Sequence, residues 1–335
     1  MQKRFFLHAL AASAVLAVSL PAAAQNWKPT HPINLIVPWA AGGSTDQVTR
    51  VTAAELEKAL GQTIVIVNQP GASGAIGTKS ALDAAKDGYT WTAGAAQDLG
   101  AYQALGSLNT NIKDWHLFLN VANVQVIGVN PSRPWHNAKE LLDDMHKRPG
   151  QISVATAGVT SAAHAAMDQI VKATGVKYKE VSYDGGNPAV VATVAGEADL
   201  TTQLAVEQAD MIRGKRLRPL ATVSDKALEL EGYGTIPSLA ATVPGFNAPA
   251  NYFGIFIPKG VPDEVVKTVE RLWAQNMAKS EALRKYATSR GALFTPLYGE
   301  EAQKAVWPAV QVNAWNLHAS GKTKVSPDTV GIPKP

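Results

Sequence analysis

Short apolar runs that end in glycine-containing turns and lead into helix-length amphipathic stretches recur along this chain, and they constrain its fold more than any other feature. Residues 34–38 form such a run, and AAGGSTD follows at 40–46. A helix capped by Ser44 or Thr45 is then expected, with Val48, Val51, Leu56 and Leu60 inward and a stop at Gly61. Strand patterns at 64–67 and 89–93 flank a second helix opened by the turn at 71–77. A βαβαβ order calls for a parallel sheet with right-handed crossovers. The pattern restarts after Gly150: strands at 152–156, 176–183, 198–203 and 217–223, and helices at 161–174 and 188–195. Helical stretches at 262–279, 281–290 and 299–318 close the chain, the last interrupted by Pro308.

Two further apolar segments, 124–130 and 251–258, fit neither half and are expected to pair as strands crossing between two α/β lobes. In 335 residues there is room for two cores. Ligands of such folds sit at the carboxyl ends of the strands, in the cleft.

At the N-terminus, Lys3 and Arg4 precede an apolar run over 5–20, and a small-residue stretch leads to Gln25. This describes a secretory signal peptide over 1–24, too short for a membrane anchor, and implies an extracytoplasmic protein. The chain lacks cysteine, which excludes disulfide scaffolds, thiolate metal sites and cysteine nucleophiles. With 31 Lys+Arg against 27 Asp+Glu the charge is nearly balanced. The densest basic cluster, Arg213, Lys215, Arg216 and Arg218, reads as a solvated helix end, so no nucleic-acid partner is expected.

Chemistry concentrates in two loops. Gly42 and Gly43 precede one helix N-terminus; Gly158, Thr160 and Ser161 precede another. Two such ends facing one cleft would clamp a carboxylate without arginine, each dipole contributing ~0.3–1 kcal/mol when exposed. Neither a dinucleotide fingerprint, a phosphate loop nor a nucleophile elbow occurs, and the histidines lack metal-ligand spacing, so no cofactor or metal is expected. Ser161 and His164, three apart on one helix, leave a serine hydrolase as the enzymatic alternative, with His164 better read as a ligand hydrogen-bonder or a helix-surface residue.

The segments at 32–46, 67–77, 87–90, 157–164, 183–189, 196–199 and 254–262 together resemble the Bug family, the solute receptors of tripartite tricarboxylate transporters. The resemblance implies two Rossmann-like lobes in a Venus-flytrap arrangement: lobe 1 from 25–124, lobe 2 from 125–250, and a crossing strand with C-terminal helices over 251–335 returning to lobe 1. It implies a monomer that captures a small organic carboxylate (a dicarboxylate, aromatic acid or amino acid) and hands it to membrane permease subunits; a receptor signalling to a sensor kinase is the alternative. Carried over by position, Trp39, Ala41, Gly42, Gly43 and Ser44 form the first binding loop, supported by Asp46. Gly158, Thr160 and Ser161 form the second with His164 beside it, and Tyr183 and Gly185 line the wall. Three departures from the family pattern stand out. Trp39 favours a planar acid. Gln97 and Asp98, expected in a loop after the third strand, offer a carboxylate that favours an amine or else faces solvent. Gln203 replaces an acidic residue near the cleft.

Overall fold

The computed structural model describes residues 27–335; the signal peptide expected over 1–24 lies outside the described residues. The first half runs β1 (Ile33–Val37), α1 (Ser44–Leu60), β2 (Ile64–Asn68), α2 (Ala75–Asp83), β3 (Thr90–Ala95), α3 (Ala96–Leu105) and β4 (Trp115–Asn123). The second comprises β5 (Val126–Val129), α4 (Ala138–Lys147), β6 (Ser153–Thr156), α5 (Ala162–Thr174), β7 (Lys179–Ser182), α6 (Gly186–Ala195), β8 (Leu200–Thr201), α7 (Ala205–Arg213), β9 (Arg218–Thr222), β10 (Leu228–Leu230) and β11 (Gly234–Ile236). The chain ends with β12 (Asn251–Pro258), α8 (Asp263–Gln275), α9 (Glu281–Arg290), β13 (Ala292–Phe294) and α10 (Gly299–Ala319).

Two mixed sheets result, each the centre of a lobe. The first has strand order β13-β4-β12-β3-β1-β2, the second β7-β6-β8-β5-β9, and β10 with β11 forms a separate hairpin. The expected parallel pairings hold: β1 lies parallel to β2 and β3, and β6 to β7 and β8. Near-continuous burial of β1 fits a strand covered on both faces. One core cluster packs Leu35, Leu56, Trp91, Phe118, Val265 and Trp273 together; another packs Ile127, Leu141, Val154, Met167 and Leu220 in the second lobe.

The crossing segments differ from expectation. Residues 124–130 and 251–258 do not pair with each other: β5 lies between β8 and β9, while β12 lies between β3 and β4. The partner of β12 is β4, antiparallel from Asn251↔Asn123 to Pro258↔Trp115. Strands β4 and β3 together satisfy the backbone of β12 within one lobe, so only 124–125 and the stretch before Asn251 pass between sheets. Helix α10 continues through Pro308 and packs against α3 and, across the interface, against α5.

Candidate ligand-binding site

Helix α1 begins one residue earlier than expected, with Gly43 in the N-cap position and no side-chain cap. Gly42, at φ 81°, makes the turn before it. Asp46 holds this loop from below: its Oδ2 accepts from Gly42 N at 2.9 Å, Arg50 donates to both carboxylate oxygens at 2.8 and 3.0 Å, and Asn68 Nδ2 donates to Oδ1 at 3.1 Å. Burial acts to raise the Asp46 pKa, but the bonds from Arg50, Gly42 and Asn68 outweigh it and hold the carboxyl below its ordinary value.

Ser161 caps α5, its hydroxyl accepting from His164 N at 3.3 Å. Thr160 Oγ1 donates to Ser73 O of the first lobe at 2.6 Å, and Ala40 N donates to Asp184 O of the second at 3.3 Å. These bonds bring the two lobes into contact around the site.

Between the lobes lies a narrow cavity of about 30 Å³ lined by Trp39, Gly43, Ser44, Asp98, Ser161, Gln203, Glu207 and Phe253, among others. That is room for little more than a water molecule, so the lobes must part to admit a ligand. The first turns of α1 and α5 and the start of α3 open onto it. None of its lining residues is Lys, Arg or His.

Of the residues singled out in the sequence, Trp39, Gly43, Ser44, Asp98, Ser161 and Gln203 meet at this cavity. Gly158 and Tyr183 line a second one with Ser73 and Asp184; Trp39 borders both and packs on Ala157 across the interface. Ala41 is exposed, Gly42 lies against Asn187, and Gly185 packs on Ala40. Thr160 spends its hydroxyl on the lobe contact. Gln97 and Asp98 are not in a loop: both are buried in the first turn of α3, so Asp98 does not face solvent.

His164 is neither at the helix surface nor in the cavity. It is fully buried, with Nδ1 at 2.6 Å from Glu180 Oε1 and Nε2 at 3.4 Å from Asp168 Oδ2, and Lys322 Nζ reaches Nε2 from beyond α10. Burial disfavours its charge, but the bonds to Asp168 and Glu180 outweigh this and raise its pKa. Because the ring is committed to these partners and Ser161 Oγ accepts from the His164 backbone, the two do not form a nucleophile–base pair.

Sequence reasoning missed Glu207. From the third position of α7 its Oε2 accepts from Leu204 N at 3.3 Å, while Oε1 accepts from Ser44 N of the other lobe at 2.9 Å. Gln203, with its amide oriented to suit both neighbours, donates to Glu207 Oε2 at 3.1 Å and accepts from Ala157 N at 3.3 Å. Burial raises the Glu207 pKa despite the Ser44 and Leu204 donors. One anion seat of the expected clamp, the first N–H of α1, therefore already carries a carboxylate of the protein. A glutamate three residues after a helix start reads in sequence as a cap; its reach across the cleft depends on how the lobes meet.

Residues 48–316 match the profile of the tripartite tricarboxylate transporter family receptor. The chain is 29% identical over 313 residues to protein BugT of Bordetella pertussis, covering 90% of this chain and 92% of that one. It is 31% identical over 252 residues to a UPF0065 protein of Pseudomonas sp., covering 74% and 73%. The structure of the periplasmic binding protein BugD superposes with a TM-score of 0.77 at 28% identity, covering 88% of this chain and 99% of that chain. The family is one of receptors and BugD is a periplasmic binding protein, so this chain is a binding protein rather than an enzyme, and BugD shares its two-lobe fold. The chain belongs to the family of tripartite tricarboxylate transporter receptors, the Bug solute-binding proteins.

Proposed function

We propose that this protein captures a small organic carboxylate in the cavity between its lobes, on the outer side of the cytoplasmic membrane, and delivers it to the permease subunits of a tripartite tricarboxylate transporter. The observation that carries this reading is the meeting of two helix first turns, from different lobes, at one narrow cleft. With the α1 end engaged by Glu207, the open anion seat is the first turn of α5, where Ser161 and the adjacent N–H groups supply donors. Lobe 1 would comprise 25–124 with 251–335, lobe 2 residues 125–250, and the protein would act as an exported monomer after cleavage near Gln25. The family assignment supports transport as the destination of the ligand. No helix among the described residues is long and apolar enough to cross a membrane, which accords with a receptor that needs separate permease subunits.

Thermal unfolding of the mature chain against dicarboxylic, tricarboxylic, aromatic and amino acids tests the reading. A true ligand at 100 times its Kd should stabilise by about 2.7 kcal/mol. Ser161→Ala should weaken it by about 1.5–3 kcal/mol, the loss of a hydrogen bond to a charged group. Absence of stabilisation across all four classes would sink the assignment.

A further inference from the structure

Asp98 lines the cavity, is only 5% exposed, and its Oδ1 has no hydrogen-bond partner. The other acid of the cavity, Glu207, is engaged by Ser44 N, Leu204 N and Gln203. No lining side chain brings a positive charge. A buried carboxyl without a counter-ion or a full set of donors is costly, and its cost falls when a cation or strong donor arrives. The start of α3 gives Asp98 only the nearby Ala95 N–H, and burial prevails, pushing its pKa well up. A site holding two carboxyl groups and no cation is poorly matched to a ligand that brings only negative charge.

We propose that the ligand is a small amine-bearing carboxylate, its cationic nitrogen seated against Asp98 and its carboxylate at the first turn of α5. The inference rests on the carboxylate-capture reading above and specifies what the rest of the ligand carries. Asp98 is then the residue that separates amino acids from their desamino counterparts: an ammonium supplies the missing donor and favours the ionised carboxylate, whereas a methylene in its place leaves Asp98 unpaired. A zwitterion also leaves the loaded cavity with no added net charge, consistent with the absence of lysine and arginine from its walls.

Calorimetric titration of the full mature chain with matched pairs tests this: L-glutamate against glutarate, L-alanine against propionate, and 4-aminobutyrate against butyrate. The expected result is that at least one amine-bearing acid binds tenfold or more tightly than its desamino partner, and that Asp98→Asn reduces this ratio at least tenfold. Asp98→Ser serves as a second variant, and the unfolding midpoint of each unliganded variant shows that it is folded. Equal or tighter binding of the desamino acids to the wild-type chain would overturn the amine assignment while leaving carboxylate capture standing; Asp98 would then act as a protonated donor to a second carboxylate. An amine preference that survives both substitutions would likewise overturn the role of Asp98. If the wider panel of acids gives no binding at all, carboxylate capture fails, and this inference with it.

Discussion

Asp46 and Asp98 occupy the same position, the third residue of a helix, in α1 and α3, and their surroundings treat them oppositely. Arg50, Asn68 and Gly42 N surround the first, while the second retains an unpartnered oxygen beside the cavity. Asp46→Ala should therefore destabilise the protein by about 2–3 kcal/mol at neutral pH, since it removes several bonds to a buried charge. Because the folded-state pKa of Asp46 lies below its ordinary 3.8, this contribution is fully present above that value and is lost as pH falls through the folded pKa. Chemical denaturation between pH 3 and 7 should show the wild-type advantage shrink at the acid end; a constant difference would contradict it. The supporting place of Asp46 beneath the first loop was legible only through the family resemblance, carried over by position. Asp98 was harder to read because α3 is buried on nearly every side, so no polar face marks it as a helix and its acid resembled a loop residue.

At the scale of elements, most helices and the parallel strands followed from local periodicity and from glycine stops such as Gly61 and Gly175. The pairing of β12 with β4 did not, because the apolar run of β12 does not specify its neighbour and His116, Asn120 and Asn123 interrupt the apolar pattern of β4. The register of that pair shifts at Phe253–Gly254, and a Cβ on Gly254 would lie 2.2 Å from Phe118 O and 2.8 Å from Leu119 Cα. Backbone this close cannot be relieved by a rotamer change. Gly254→Ala is expected to cost at least about 1–3 kcal/mol, the range for overpacking a core. A shift of the urea midpoint with unchanged slope would register it, and an unaltered midpoint would refute it.

For the whole molecule, polar contacts between the lobes include Thr160 to Ser73, Ala40 to Asp184, Ser44 to Glu207, Arg290 to Asp210, and the group around His164 reached by Lys322, beside apolar packing such as Trp39 on Ala157. The His164 group lies outside the cavity lining and joins the C-terminal segment to the second lobe. Lys322 is partly exposed, so its bonds are moderate in strength, and Lys322→Met should shift the balance toward an open form. Small-angle scattering of the unliganded variant should give a larger radius of gyration than wild type, and ligand affinity should fall several-fold, by about 1 kcal/mol. Identical scattering curves would show that this contact does not restrain the lobes. None of these contacts was legible in the sequence, since each joins residues brought together only when the lobes meet.

The strand order of the first sheet bears on how the protein is made. Its central strand β12 and edge strand β13 come from the far end of the chain, whereas β1 to β4 come from the beginning. During synthesis and export, the earliest sheet segment to appear must therefore wait, with a seam between β3 and β4, until the entire second lobe has been produced. The second lobe, continuous in sequence from β5 to β9, faces no such delay. A chain interrupted before residue 251 would leave one edge of β3 and both edges of β4 unpaired and open to self-association. The strand that completes the receptor is thus also a checkpoint on whether the whole chain has arrived.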